Sequence, residues 1–494
     1  MAGRIVALII ALLTLGPLAL VALRAEGGWS ADWPALRFTV VQAALSAVIS
    51  VGLAVPVARA LARRRFFGRG ALIALLGAPF LLPVVVAVLG LLAVFGRSGL
   101  INQTIGMPVS IYGLHGVVLA HVFLNMPLAV RLILQGWQAI PAERTRLALS
   151  LGFAPRDMAR HLERPMLAEV VPGALLVIFT ICLTSFAVAL TLGGGPRATT
   201  IELAIYQALR FQFDLGRAAS LATLQFAVCA VAVLMASKFA VPAGFGRGLD
   251  RVTPFAPEGW RRGGDAIVLL LATLFVASPL GMVAARGLGN FELPPAVWEA
   301  AGRSLAVALC SAALTVAAAL LLALSSWRWA GMVATLPLAA SSLVMGTGLF
   351  LAVWPFTPPE TLALPVTLLV NALLALPFAF RILSPAATTL RRDYGPLADT
   401  LGLRGIARLR WLIMPRLRQP LGFAMGVAAA LSMGDLGVIT LFAAPDGPTL
   451  PLLVQQLMGA YRMDQAASAA LLLVVLSFGL FLLFDHGGRR GSEL

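Results

Sequence analysis

Apolar runs of about twenty residues recur along the whole chain, parted by short stretches in which arginine, glycine and proline collect. A helix crossing bilayer hydrocarbon needs about 20 apolar residues at about 1.5 Å rise each. That ruler predicts twelve spanning helices, over residues 5–23, 40–58, 71–95, 111–130, 166–192, 218–236, 266–285, 305–324, 331–353, 362–380, 421–442 and 466–484. The expected fold is all-α, a polytopic membrane protein. The first run reads as a membrane helix rather than a secretory signal, because its 19 residues exceed a typical signal core and no small-x-small site precedes Arg24.

Composition strengthens the membrane reading. Hydrophobic residues make up 60% of the chain and charged ones 12%, and the mean hydropathy is +0.93, far more apolar material than one soluble core uses. The 37 Lys+Arg against 21 Asp+Glu leave +16. With a cytoplasmic N-terminus, 28 of the 37 basic residues fall in cytoplasmic segments, which is the positive-inside bias. The charge therefore needs no nucleic acid, and the expected location is a bacterial inner membrane with both termini cytoplasmic. Cys182, Cys229 and Cys310 lie in apolar runs without CxxC spacing and read as small buried hydrophobes.

The chain is duplicated. Residues 127–131 read PLAVR and 377–381 read PFAFR, a shift of 250 that Ala148 and Ala398, Leu151 and Leu401, Gly152 and Gly402, Arg160 and Arg410, Leu162 and Leu412, and Pro165 and Pro415 all keep. Each copy falls between the fourth and fifth predicted helices of its half, so the halves share one orientation. The division is a six-helix half over 1–236 with a loop at 142–165, a cytoplasmic linker rich in Gly, Pro and Arg over 237–265, and a second half over 266–494 with a loop at 392–415.

Within each loop a helical run stops at Gly152 or Gly402, glycine being the residue that readily takes the left-handed conformation ending a helix. Pro155 suits the first turn of a second helix, and Pro165 ends it; Gly405 and Pro415 repeat the plan. Each loop presents apolar and basic residues together. That suits docking in another protein's groove, and Arg156, Arg160, Arg404, Arg408 and Arg410 also suit anionic membrane lipid.

Two loops with Ala, Gly four residues later, an aliphatic ten beyond and Pro three further resemble the EAA loops of ATP-binding-cassette importer permeases. In that family the loop seats in the ATP-hydrolysing subunit. The resemblance therefore implies ATPase-coupling roles for Ala148, Gly152, Leu162 and Pro165, and for Ala398, Gly402, Leu412 and Pro415. The leading acidic residue of the family pattern is replaced by Arg146 and Pro396. Within the family, the chain resembles the fused thiamine and thiamine pyrophosphate permeases through ARALARRRFFGR at 58–69, LTLGGGPRATTIELAIYQAL at 190–209, LSMGDLGV at 431–438 and LLVQQLMGAYR at 452–462. This implies a type I permease fold, two copies of a separate cytoplasmic ATPase, a periplasmic thiamine-binding protein and alternating access. Fused ferric-iron permeases share the duplicated plan and stand as the alternative.

Absent chemistry points the same way. A phosphate-cradling loop of the G-x-x-x-x-G-K-[ST] type needs a lysine, and the only one, Lys238, sits between Ser237 and Phe239. If transport is driven by ATP, a partner must provide that site. A secondary transporter, the rival class, would carry ionisable pairs inside its helices, and few such groups exist. Glu169 reads as structural, close to Arg164; His115 and His121, six apart, share no helical face and imply no metal. Asp435 falls well inside the eleventh run, where a charge costs roughly 2.5 to 3.5 kcal/mol. Its counterpart at the shift of 250 is Ser185. Asp435 is the candidate for the translocation path, facing a cationic thiazolium, with a local hydrogen bond as the plain alternative. GGGPRATT at 193–200 and APDGPT at 444–449 are outer turns, with Arg197 and Glu202 as candidate contacts for a delivered binding protein. No carboxylate pair, metal cluster or activated nucleophile marks a membrane enzyme, and no cofactor is expected.

Overall fold

The computed structural model describes residues 2–25, 33–106, 110–193, 195, 198–236, 238–239, 259–289, 291–325, 327–443 and 447–489. All regular structure among them is helical. The first half holds α1 (Ala2–Arg24), α2 (Trp33–Arg63), α3 (Val84–Phe95), α4 (Leu114–Ala139), α5 (Ala142–Ser150), α6 (Arg164–Leu183), α7 (Phe186–Leu192), α8 (Ile201–Gln207) and α9 (Leu215–Ala236). The second holds α10 (Trp260–Gly289), α11 (Pro295–Ala323), α12 (Ser342–Val353), α13 (Ala363–Thr400), α14 (Met414–Met433), α15 (Gly437–Phe442), α16 (Leu450–Gly459) and α17 (Met463–Arg489). Eleven helices among the described residues are long and apolar enough to cross a membrane, twelve if the bent pair Ala330–Ala339 and Ser342–Val353 is one span.

Four expected spans are not straight rods. The third is broken into Arg69–Leu75, Ala78–Leu81 and α3, the last starting after Pro83, whose ring cannot donate to a preceding turn. The ninth bends by 88° before α12. The fifth and eleventh are interrupted at Thr184–Ser185 and at Gly434–Leu436. The expected linker end also shifts, because α10 begins at Trp260 and Asp265 lies in its second turn, paired with Arg64 at 2.7 Å.

Small residues set the helix packing. In lipid there is no hydrophobic drive between helices, so close approach and dispersion hold them together. The buried stripe of α2 runs through Ala43, Ala47, Ala54 and Ala58 and lies along α4; that of α11 runs through Ala300, Ala308, Ala312 and Ala319 and lies along α13. The first helix of each half crosses to the other half. Gly348 of α12 meets α1 so closely that a β-carbon there would lie 2.4 Å from the Pro17 carbonyl oxygen. Gly90 of α3 meets α10 in the same way, 2.7 Å from the Pro279 carbonyl oxygen. The buried clusters accordingly mix the halves: Ala7, Ile10 and Val21 pack with Leu343 and Val344, and Leu269, Ala272 and Val276 join the core of α2 and α4. Cys182 and Cys229 are buried as expected, whereas Cys310 is exposed; it lies on the outer side of α11, away from that helix's buried stripe.

Direct contacts place both loops on one end of the bundle. Gly3 of α1 packs on Ser325 after α11, and the Ser325 carbonyl receives Arg391 near the second loop at 2.9 Å. Gly488 at the end of α17 abuts Arg418 and Gln419 at the start of α14. Helix α10 runs antiparallel to α17, since its terminal Gly287 faces Ala467 and Leu471 near the start of α17. The start of α10 therefore shares the same end, where Asp265 pairs with Arg64, and the neighbouring Arg59 and Arg63 bind Glu163 of the first loop.

Candidate functional site

The two loops are built alike at the level of single hydrogen bonds. Phe153 N–H donates to the Ala148 carbonyl at 3.0 Å and Gly152 N–H to Leu149 at 3.0 Å. Leu403 N–H donates to Ala398 at 2.9 Å and Gly402 N–H to Asp399 at 3.1 Å. This is the Schellman helix ending, which requires a left-handed residue four positions after the carbonyl it closes on. Gly152 and Gly402 supply it at φ +74° and +66°. The Ala-to-Gly spacing is thus a backbone requirement. Ala148 and Ala398 are small because both are buried at that closure. Leu147, Leu151, Leu397 and Leu401 stay exposed, Leu151 at 65% and Leu401 at 64%.

Beyond the turn the expectation fails in one respect. Pro155 and Gly405 do start second helices, with Asp157 capping the first by accepting from Ala154 N–H at 3.0 Å. Pro165 and Pro415 do not end them. Each follows a wide π turn, Ala159–Glu163 or Leu409–Ile413, and sits in the first turn of α6 or α14, so the helix continues. A proline is compatible with the start of a helix because the missing N–H has no partner there, and the π turn provides that start within a continuous helix. Leu162 and Leu412 are half-buried in these turns, and both prolines are exposed. Buried Glu163 fastens the first loop to α2 through Arg59 at 3.0 Å and through Arg63. In the second loop Ile413 takes that position, while Arg408 meets Asp399 at 3.0 Å and Arg416 lies over Tyr394 at 4.5 Å.

Ser185 and Asp435 occupy equivalent breaks, each preceding a short helix, α7 or α15. Helix ends inside a membrane leave carbonyls that water cannot serve. Here side-chain amides serve them: Gln42 Nε2 donates to the Cys182 carbonyl and Gln225 Nε2 to that of Leu183, both at 2.9 Å. In the second half Asn371 Nδ2 donates to the Ser432 carbonyl at 3.3 Å and to Ser432 Oγ at 3.0 Å, and Ser311 Oγ donates to that hydroxyl at 2.7 Å. In the sequence the only signal of these amides is a lone Gln or Asn inside an apolar run. The Asp435 carboxylate lies at the start of α15 beside the backbone of Gly437 and Val438, and its Oδ2 is buried without a partner. Gly434 beside it packs on Pro83 and Gly437 on Ser342, so the breaks of both third spans converge on this point. His121 is buried against Ser46, Nδ1 to Oγ 3.2 Å, and no group of metal-ligating side chains occurs among the described residues.

Of the two outer-loop candidates, Arg197 lies outside the described residues. Glu202 is fully buried, with Oε1 accepting from Gln225 Nε2 at 3.1 Å, so its side chain faces the interior and not a delivered protein. The sequence window placed it just past a turn, but α8 folds back into the bundle. Ile201 N–H donates to Thr39 of α2 at 2.9 Å, as Leu450 N–H donates to Ser304 of α11 at 2.8 Å.

No family model matches the chain. It is 39% identical over 520 aligned residues to the thiamine transport system permease protein ThiP of Brucella abortus, covering all of this chain and 96% of that protein. The chain belongs to the thiamine transport system permease family. The ThiP of Escherichia coli K12 is 39% identical over 487 residues, spanning 92% of this chain and 88% of its own length. The molybdenum transport system permease protein ModB of Mycobacterium bovis is 30% identical over 230 residues. That match takes 44% of this chain and 86% of ModB. The chain is a multi-pass membrane permease, a transport subunit rather than an enzyme.

Proposed function

We propose that the chain is the membrane-spanning subunit of an ATP-driven importer that carries thiamine and its phosphates from periplasm to cytoplasm by alternating access. The observation that carries this reading is the pair of like-built loops on one end of the bundle, each ending a helix in the same glycine turn and leaving leucines exposed. Such levers suit two copies of a separate ATPase, one per loop. The arginine-rich end that holds them is assigned to the cytoplasm by the positive-inside bias, and a periplasmic thiamine-binding protein delivers substrate to the opposite end. Closure of the ATPases on ATP draws the loops together and tilts the halves; hydrolysis resets them. The relatives are thiamine transport permeases, which supports thiamine as the cargo.

Within the path, the proposed contact for the cationic thiazolium is Asp435, whose Oδ2 is buried without a hydrogen-bond partner at the break before α15. Ser185 marks the equivalent break in the other half. Co-expressed with its ATPase and reconstituted with the binding protein, the complex hydrolyses ATP faster when thiamine is added. Stimulation by ferric iron in place of thiamine overturns the cargo, and uptake by the purified chain alone overturns the mechanism. Asp435→Asn lowers thiamine uptake into proteoliposomes about ten-fold, the equivalent of about 1.4 kcal/mol; unchanged uptake removes Asp435 from the path.

A further inference from the structure

Glu202 is a buried carboxyl that the transport reading leaves without a task. It is 0% exposed and makes no ion pair among the described residues. Its polar neighbours come from both halves of the chain. Gln225 of α9 donates to Oε1 at 3.1 Å. Glu202 Oε2 is buried with no hydrogen-bond partner, and the hydroxyl beside the carboxyl is that of Ser341, at the 88° bend of the second half's broken span. Ser341 is the cap of α12: its oxygen accepts from Val344 N–H at 3.1 Å, and its O–H is not used by that cap. A carboxyl at that helix start also meets the positive end of the α12 dipole.

Two further contacts join the halves near this joint, at the end of the bundle remote from the twin loops. Arg210 Nη2 donates to the Ala443 carbonyl at 3.2 Å, and the Phe213 and Trp354 rings meet edge to face at 4.9 Å. The related joint on the other side of the molecule has no such chemistry. Pro451 stands where Glu202 does, one residue after the first of its helix, and Pro83 caps α3 as Ser341 caps α12. Two prolines offer no side-chain donor or acceptor. The duplicated fold thus carries a polar tie on one side only.

We propose that Glu202 is a positioning residue: with Ser341 it forms a latch that holds the two halves together at the end remote from the loops and opens when the halves part to admit substrate. The proposal rests on the alternating-access reading above. A latch that must break favours hydrogen bonds of modest net strength over a paired charge, and its loss shifts the resting population toward the open form.

Two measurements test it. The first uses the purified chain alone and does not depend on transport: thermal unfolding of Glu202→Leu, Ser341→Ala and the double variant. Shared contact makes the losses non-additive; additive losses overturn the latch whatever the protein carries. The second uses the complete complex in proteoliposomes without binding protein. Basal ATP hydrolysis rises about five-fold in Glu202→Leu and in Ser341→Ala, a shift equal to about 1 kcal/mol. It stays at the wild-type rate in Glu202→Gln, which keeps the hydrogen bonds without the charge. No rise in either apolar variant, or an equal rise in Glu202→Gln, overturns the proposal. Failure of thiamine to stimulate the wild-type complex overturns the functional reading instead and leaves the unfolding result standing.

Discussion

Gly152 and Gly402 do one job each, and the rest of both loops follows from it. A β-carbon at either would touch nothing within 4 Å, so the cost of replacing them is backbone strain alone. Left-handed backbone costs an L-residue roughly 1 to 2 kcal/mol, more for a β-branched one. Gly402→Val therefore lowers the unfolding temperature only modestly, while the ATPase retained on the purified chain falls several-fold as the loop loses its turn; retention at the wild-type level counts against the loop as the docking element. The loop residues were legible because turn geometry is local and leaves a spacing in the sequence. Glu202 and Gln225 were not legible as a pair, since 23 residues and a change of helix separate two side chains that meet only after α8 folds inward.

At the scale of elements, proline reads differently by context. Pro141 stands between α4 and α5, and the chain breaks there. At the shift of 250 the residue is Arg391, and α13 runs unbroken through it. Its guanidinium donates to the Leu324 and Ser325 carbonyls past the end of α11, where a cation suits the helix dipole. Pro165 and Pro415 were expected as stops and prove to be starts, because a π turn lies before each. Periodicity cannot reveal a π turn, whose one extra residue blends into the surrounding helix. Glycine matters differently between elements. Gly348→Val drives a side chain into the Pro17 backbone of α1 and costs about 1 to 3 kcal/mol. Thermal unfolding in detergent reads this directly, and an unchanged midpoint means that α1 does not pack there.

Across the whole molecule the halves are interlocked. Helix α1 belongs to the first half by sequence and packs on α12 of the second; α10 returns the exchange on α3. Cutting the chain between Phe239 and Gly259 and co-expressing the fragments is therefore expected to yield a complex that co-purifies, because each fragment buries its first helix in the other. Deleting α1 from the first fragment weakens that recovery strongly; fragments that separate with α1 present rule out the exchanged packing. One consequence is that the joints between halves lie inside the buried clusters, where the Glu202 carboxyl and the Ser341 hydroxyl are both shielded from water.

Sequence alone determined the membrane class, the number of spans to within the bent pair, the duplication and the glycine turns, because each depends on run length or on spacing within a few residues. Tertiary structure decided which spans are broken, which amides serve the freed carbonyls, where Glu202 points and which half each first helix joins. Those outcomes depend on contacts between segments far apart in the chain. In lipid, where apolar surface gives little preference among helices, small-residue fit and hydrogen-bond satisfaction select the partners, and neither is written in any single run of residues.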